Sequence, residues 1–146
     1  MQDSPLKTRK SKDGSVQVFD PLRHKYVALT PEEWVRQQFT HFLINERHFP
    51  AALLGNEVSI CVSGANRRCD TILFHKEGGT PRVIIEYKAP EIEITQKVFT
   101  QISSYNSVLH ADYLIVSNFR QNICCKMDYE THSYEFLPDI PMYEDL

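Results

Sequence analysis

A chain of 146 residues is long enough to bury one hydrophobic core and too short for two comfortable domains. No run of about 20 apolar residues occurs, and the first fifteen residues are polar and basic, so neither a membrane span nor a secretory signal is expected and the cytoplasm is the expected compartment. The net charge of -3 excludes a protein that grips nucleic acid through its whole surface, so any phosphate contact must be a local patch or come from a partner.

Residues 1–15 hold Lys7, Arg9, Lys10 and Lys12 among polar residues, with too little apolar content to order themselves. They are predicted to be a disordered polar tail, with a single domain over 16–146. Val16–Phe19 and Lys25–Leu29 flank the turn chemistry of Asp20–His24 and predict an entry hairpin.

Thr30, Pro31 and Glu33 then announce a helix: Thr suits the N-cap, Pro the first turn, and a Glu three residues after the cap can close a capping box. Val35, Phe39, Phe42 and Leu43 recur at helical spacing. Glu32 lies near that apolar stripe and Glu33 well away from it, so Glu32 is expected to face inward.

Three strands follow, over residues 57–62, 67–74 and 81–89, the last two joined by Gly78-Gly79. With no helix between them, an antiparallel meander is the economical arrangement. Thr95 can cap a second helix whose Val98, Phe99, Ile102, Tyr105 and Leu109 share a face. Tyr113–Val116 is wholly apolar, as a central strand buried on both faces should be. Residues 121–127 and 133–137 make a closing hairpin. Cys61, Cys69, Cys124 and Cys125 lack metal-ligand spacing and read as reduced packing residues, the adjacent pair pointing to opposite faces. The six histidines show no paired ligand spacing.

Glu86 and Lys88 are two apart in an otherwise apolar strand, so both project from one face. If the hairpin is symmetric about Gly78, partner numbers sum to about 156, which sets Asp70 opposite Glu86 and Arg68 opposite Lys88. Two adjacent carboxylates repel as mere structure, whereas Mg²⁺ or Mn²⁺ seeks such hard oxygen ligands. Lys88 can then position or help deprotonate a water, and Glu32 can serve as a further ligand, with Glu33, occupied by the capping box, as the runner-up acid of that helix.

An acidic helix, Arg68-x-Asp70, a glycine turn, Glu86-x-Lys88 and a helix with Gln101-x-x-x-Tyr105 together resemble the PD-(D/E)xK nucleases. More narrowly, 29–37, Glu86–Pro90 and Tyr105-Asn106 look like small proteins related to the N-terminal nuclease domain of type I restriction enzyme R subunits. Cys69 stands where that family usually has Pro. The resemblance implies a restriction-endonuclease-like mixed α/β sheet in the order α-β-β-β-α-β with a hairpin at each end. It implies Asp70 and Glu86 as metal ligands and catalytic groups, Lys88 as the catalytic lysine, and Gln101 and Tyr105 as a supporting helix motif. Asp70, Glu86, Lys88 and Glu32 are thus the expected catalytic set, with Asp70, Glu86 and Glu32 on the metal and Arg68, Gln101 and Tyr105 in support. The implied activity is Mg²⁺- or Mn²⁺-dependent hydrolysis of DNA phosphodiester bonds, in a restriction or repair setting. The alternative is a DNA-binding or accessory module whose nuclease core is inactive or needs a larger restriction or repair protein, and self-association stays open.

Overall fold

The computed structural model describes the backbone of residues 2–62 and 64–146, and the side chains of these except at 62, 65 and 105–108. It is a mixed α/β protein with two helices. Strands β1 (Thr8–Lys10), β2 (Val16–Asp20) and β3 (Lys25–Ala28) form a small antiparallel sheet. Helix α1 (Pro31–Glu46) leads into β4 (Leu54–Val62), β5 (Ala65–Phe74) and β6 (Pro81–Tyr87). Helix α2 (Gln96–Leu109) then crosses to β7 (Tyr113–Ser117), followed by β8 (Asn122–Asp128) and β9 (Ser133–Leu137). Strands β4 to β9 lie side by side in chain order, all neighbours antiparallel except β6 and β7. That parallel pair is the one joined by a helix, as a crossover requires.

The two faces of the large sheet build two cores. Val35, Phe39 and Leu43 of α1 pack on Leu73, Val83, Ile85 and Ile115, while Phe99, Ile102 and Leu109 of α2 pack on Ile72, Ile84, Leu114 and Val116. Every residue of β7 is buried, in keeping with its apolar run. Cys124 and Cys125 enter opposite cores; Cys61, expected to pack, is exposed. The meander and closing hairpin form as the turn signals imply. Gly78 and Gly79 take φ of 83° and 65°, the left-handed backbone a tight turn needs.

The amino-terminal segment departs from expectation. Residues 8–10, placed in a disordered tail by composition, form β1 against β2. The Ser4 N–H donates to Gln38 Oε1 at 2.7 Å, and Gln38 Nε2 returns a bond to Ser4 O at 2.8 Å. Pairing to a strand edge and to a buried glutamine supplies the ordering that the segment's own side chains lack.

Helix α1 also corrects the wheel. Glu32 is exposed and Glu33 is buried at 6%. The buried arc runs through Glu33, Arg36, Gln37 and Thr40 as well as the apolar positions, so a stripe drawn through apolar residues alone points the wrong way. Half of the capping box forms: the Glu33 N–H donates to Thr30 Oγ1 at 3.1 Å, but the Glu33 carboxylate binds Arg23 and Gln37 instead of returning to the cap.

Candidate active site

Strands β5 and β6 pair as Thr71↔Ile85, Ile72↔Ile84 and Leu73↔Val83, the register implied by symmetry about Gly78, with a bulge next to Phe74. The regular ladder stops at Thr71, one residue before Asp70. There the Tyr87 N–H donates to Asp70 Oδ2 at 2.9 Å, while the Asp70 carbonyl accepts from Arg36 Nη1 at 2.9 Å. The Asp70 side chain therefore takes a backbone partner's place opposite Tyr87, and the Asp70 carbonyl is held by α1.

A change of phase in β4 and β5 accompanies the opening. Leu54 and Leu73 pack in the α1 core, and Asn56 and Thr71 belong to the polar chain leading to Tyr87 on that side. Beyond Glu57, Val58, Ile60 and Cys69 instead join the α2 core. Glu57 sits at φ 55°, an uncommon conformation for a residue with a side chain, and it marks the turnover. Its carboxylate is held by Arg36 and by Arg68 Nε at 2.5 Å.

The cleft has a volume of about 380 Å³ and is lined by Asn66, Arg67 and Arg68 at one end, Glu86 of β6 and Lys88 just past its end, and Ile102 and Leu109 of α2. Glu86 lies against Asp70 within hydrogen-bonding reach, and its carboxyl is pushed up to about 9 by burial, then by the Asp70 charge, with Lys88 pulling only weakly the other way. The Lys88 N–H donates to Ser117 O at 2.9 Å, which fixes the end of β6 to β7. The Cys69 thiol, also lining the cleft, is raised to about 12 by burial and by the two carboxylates, so it is no nucleophile.

The structure thus brings Glu86, Lys88 and Arg68 to one cleft, with the Asp70 carboxylate against that of Glu86. It does not bring Glu32 there, because that side chain faces solvent from the first turn of α1. Gln101 is exposed on α2, whose Ile102 and Leu109 face the cleft in its stead. The Tyr105 side chain lies outside the described residues. Arg36, which sequence reasoning passed over, and Glu33, read there as the capping residue, bind the back of the site: Arg36 Nε lies 3.2 Å from Glu33 Oε2, and Arg23 Nη2 2.6 Å from Glu33 Oε1. Their spacing of three on one helix was the available signal. Among the described residues no group of three or more His, Cys, Asp or Glu side chains gathers around one point. A two-carboxylate set is still a fitting one for a hard ion that completes its shell with water and phosphate oxygens.

Fold and cleft define a mixed α/β protein carrying a paired-carboxylate and lysine site at the mouth of its central strands. Residues 31–141 match the family model described as the type I restriction enzyme R protein N terminus, and the chain belongs to that family. No curated protein matches it. Among the described residues no helix is long and apolar enough to cross a membrane.

Proposed function

We propose that this chain is a metal-dependent DNA endonuclease domain with a PD-(D/E)xK core, cleaving phosphodiester bonds at the cleft of Asp70, Glu86 and Lys88. The observation that carries the reading is the meeting of Asp70 and Glu86 beside Lys88 where the β5–β6 ladder opens. Two carboxyl groups held together, both partly buried, form a site short of positive charge, and Mg²⁺ or Mn²⁺ fits that donor set. Such an ion supplies charge against the phosphate under attack. Asp70 and Glu86 would hold it. Lys88, on the same strand face as Glu86, would orient the attacking water, and Arg68 at the cleft rim would neutralise phosphate.

Membership of a restriction-enzyme family supports DNA as substrate and a larger restriction protein as partner. One observation favours the partner-dependent module as second reading: Glu33 is taken up by Arg23 and Arg36, so α1 adds no third acid to the site.

The test is thermal stability with and without Mn²⁺, combined with DNA cleavage. Mn²⁺ at 100 times its dissociation constant should stabilise the folded state by about 2.7 kcal/mol. Asp70→Asn should weaken that shift, whereas Lys88→Met should keep it and abolish cleavage. Stabilisation without cleavage on any DNA form selects the partner-dependent module. No stabilisation by millimolar Mn²⁺ overturns both readings.

A further inference from the structure

Charge is unevenly distributed along the chain. Residues 1–29 carry six Lys or Arg against three Asp, and residues 30–146 carry ten against sixteen. Of the three amino-terminal acids, Asp20 is fully buried with Arg23, and Asp13 is tied into its own turn by Ser11 and Ser15. Lys7, Arg9, Lys10, Lys12 and Lys25 are all exposed on the small sheet and its first turn. The exposed charge of this segment is therefore net positive, five cations against Asp3 and Asp13, and it lies outside the part of the chain that matches the family.

The sheet presents its two faces differently. Val18 and Asp20 are buried toward the body, while Arg9, Gln17, Phe19 and Tyr26 lie on the opposite face by strand alternation. On that face the Arg9 guanidinium lies 3.9 Å from the Tyr26 ring centroid, and its Nε donates to Gln17 Oε1 at 2.9 Å. Lys7 Nζ lies 5.0 Å from the Phe19 ring centroid. The aromatic rings of this face are thus engaged by cations, Tyr26 by the Arg9 guanidinium and Phe19 by Lys7 Nζ. Positioned cations suit phosphate, independent of sequence.

The sheet is also fixed relative to the cleft. Asn56 Nδ2 donates to Asp20 Oδ2 at 3.1 Å, and the Thr71 hydroxyl donates to Asn56 Oδ1 at 2.6 Å, one residue from Asp70. We infer that the small sheet is a docking surface for the phosphate backbone of duplex DNA, holding the substrate while the acidic body leaves affinity to this one patch. The inference takes from the nuclease reading that DNA is the ligand, and it requires neither metal nor cleavage.

The experiment uses the full chain in EDTA with a fluorescent duplex of about 20 base pairs and arbitrary sequence, titrated across about 50 to 200 mM salt. The comparison variant is Lys7→Gln/Lys10→Gln/Lys12→Gln, which keeps the Arg9–Tyr26 stack. The wild type should bind duplexes of different sequence equally, and the variant should lose at least about tenfold in affinity at the lowest salt. Its slope of log K against log salt should flatten by about 0.9 for each cation that had contacted phosphate. The variant should melt with the wild type and keep its stabilisation by Mn²⁺, which separates this surface from the cleft. Absence of duplex binding by the wild type, or an unchanged slope in the variant, overturns the inference. So does lysine-dependent capture by phosphatidylserine vesicles without capture by duplex, which reassigns the patch to membranes.

Discussion

Glu86 shows how one position couples stability to chemistry. In the metal-free protein its carboxyl ionises near 9, against 4.5 for an unhindered glutamate, because burial and then the Asp70 charge oppose the anion. The unfolded chain therefore gives up this proton first as the pH climbs. The folded state loses stability across the window from 4.5 to about 9, by at most about 1.4 kcal/mol per pH unit. Glu86→Gln keeps the shape without the titration. In EDTA at pH 8 it should be more stable than wild type by at least ~1 kcal/mol, with the gap closing at pH 5. Melts at the two pH values check this, and a gap that does not change with pH refutes it. Asp20 behaves in the opposite sense. Burial alone would raise its carboxyl, but the hydrogen bonds from Arg23 and Asn56 outweigh that and hold it below 3.8. Its contribution is present above the ordinary carboxylate range and is lost as the pH falls through the depressed value.

At the scale of the element, the turnover of β4 and β5 has a steric condition. Gly55 and Val58 are three apart and should face opposite sides of a regular strand, yet a Cβ at Gly55 would lie 2.7 Å from Val58 Cγ2. The reversal at Glu57 brings Val58 across, and only a glycine leaves room for it. Gly55→Ala should then cost about 1–3 kcal/mol by overpacking, and Val58→Ala in the same chain should recover part of the loss. Denaturant melts of the two single variants and the double variant measure the coupling, and additive losses would show that the two positions do not contend for space. Helix α1 is constrained in a comparable way. Its first turn is held less by its cap than by Glu33, which spans Arg23 of the hairpin and Arg36 beside Asp70.

Across the whole molecule, a chain of buried polar groups ties the small sheet to the cleft: Asp20 to Asn56, Asn56 to Thr71, and Thr71 to the Tyr87 hydroxyl, which donates at 2.9 Å. Asp20→Ala leaves Arg23 and Asn56 without their shared acceptor and should cost about 3 kcal/mol or more, the range for a broken buried ion pair. Loss of amide protection in β1–β3 ahead of the large sheet, followed by hydrogen exchange, is the expected signature. Simultaneous loss in both sheets would mean that they unfold as one unit. Much of this architecture was legible in the residues themselves. The Gly78-Gly79 turn and the alternation around it are local signals, and they suffice to set the β5–β6 register on which the meeting of Asp70 and Glu86 depends. The apolar run at Tyr113 and the adjacent cysteines likewise carried their burial in their own pattern. Tertiary structure alone decided that Glu33 and not Glu32 turns inward, that residues 8–10 become a strand, and that β4 reverses phase at Glu57. In each case the deciding partner lies on another element: Arg23 after β2 for Glu33, β2 for β1, and Arg36 of α1 for Glu57. A polar side chain is buried only where a distant group completes its hydrogen bonds, and periodicity within one element carries no record of that group.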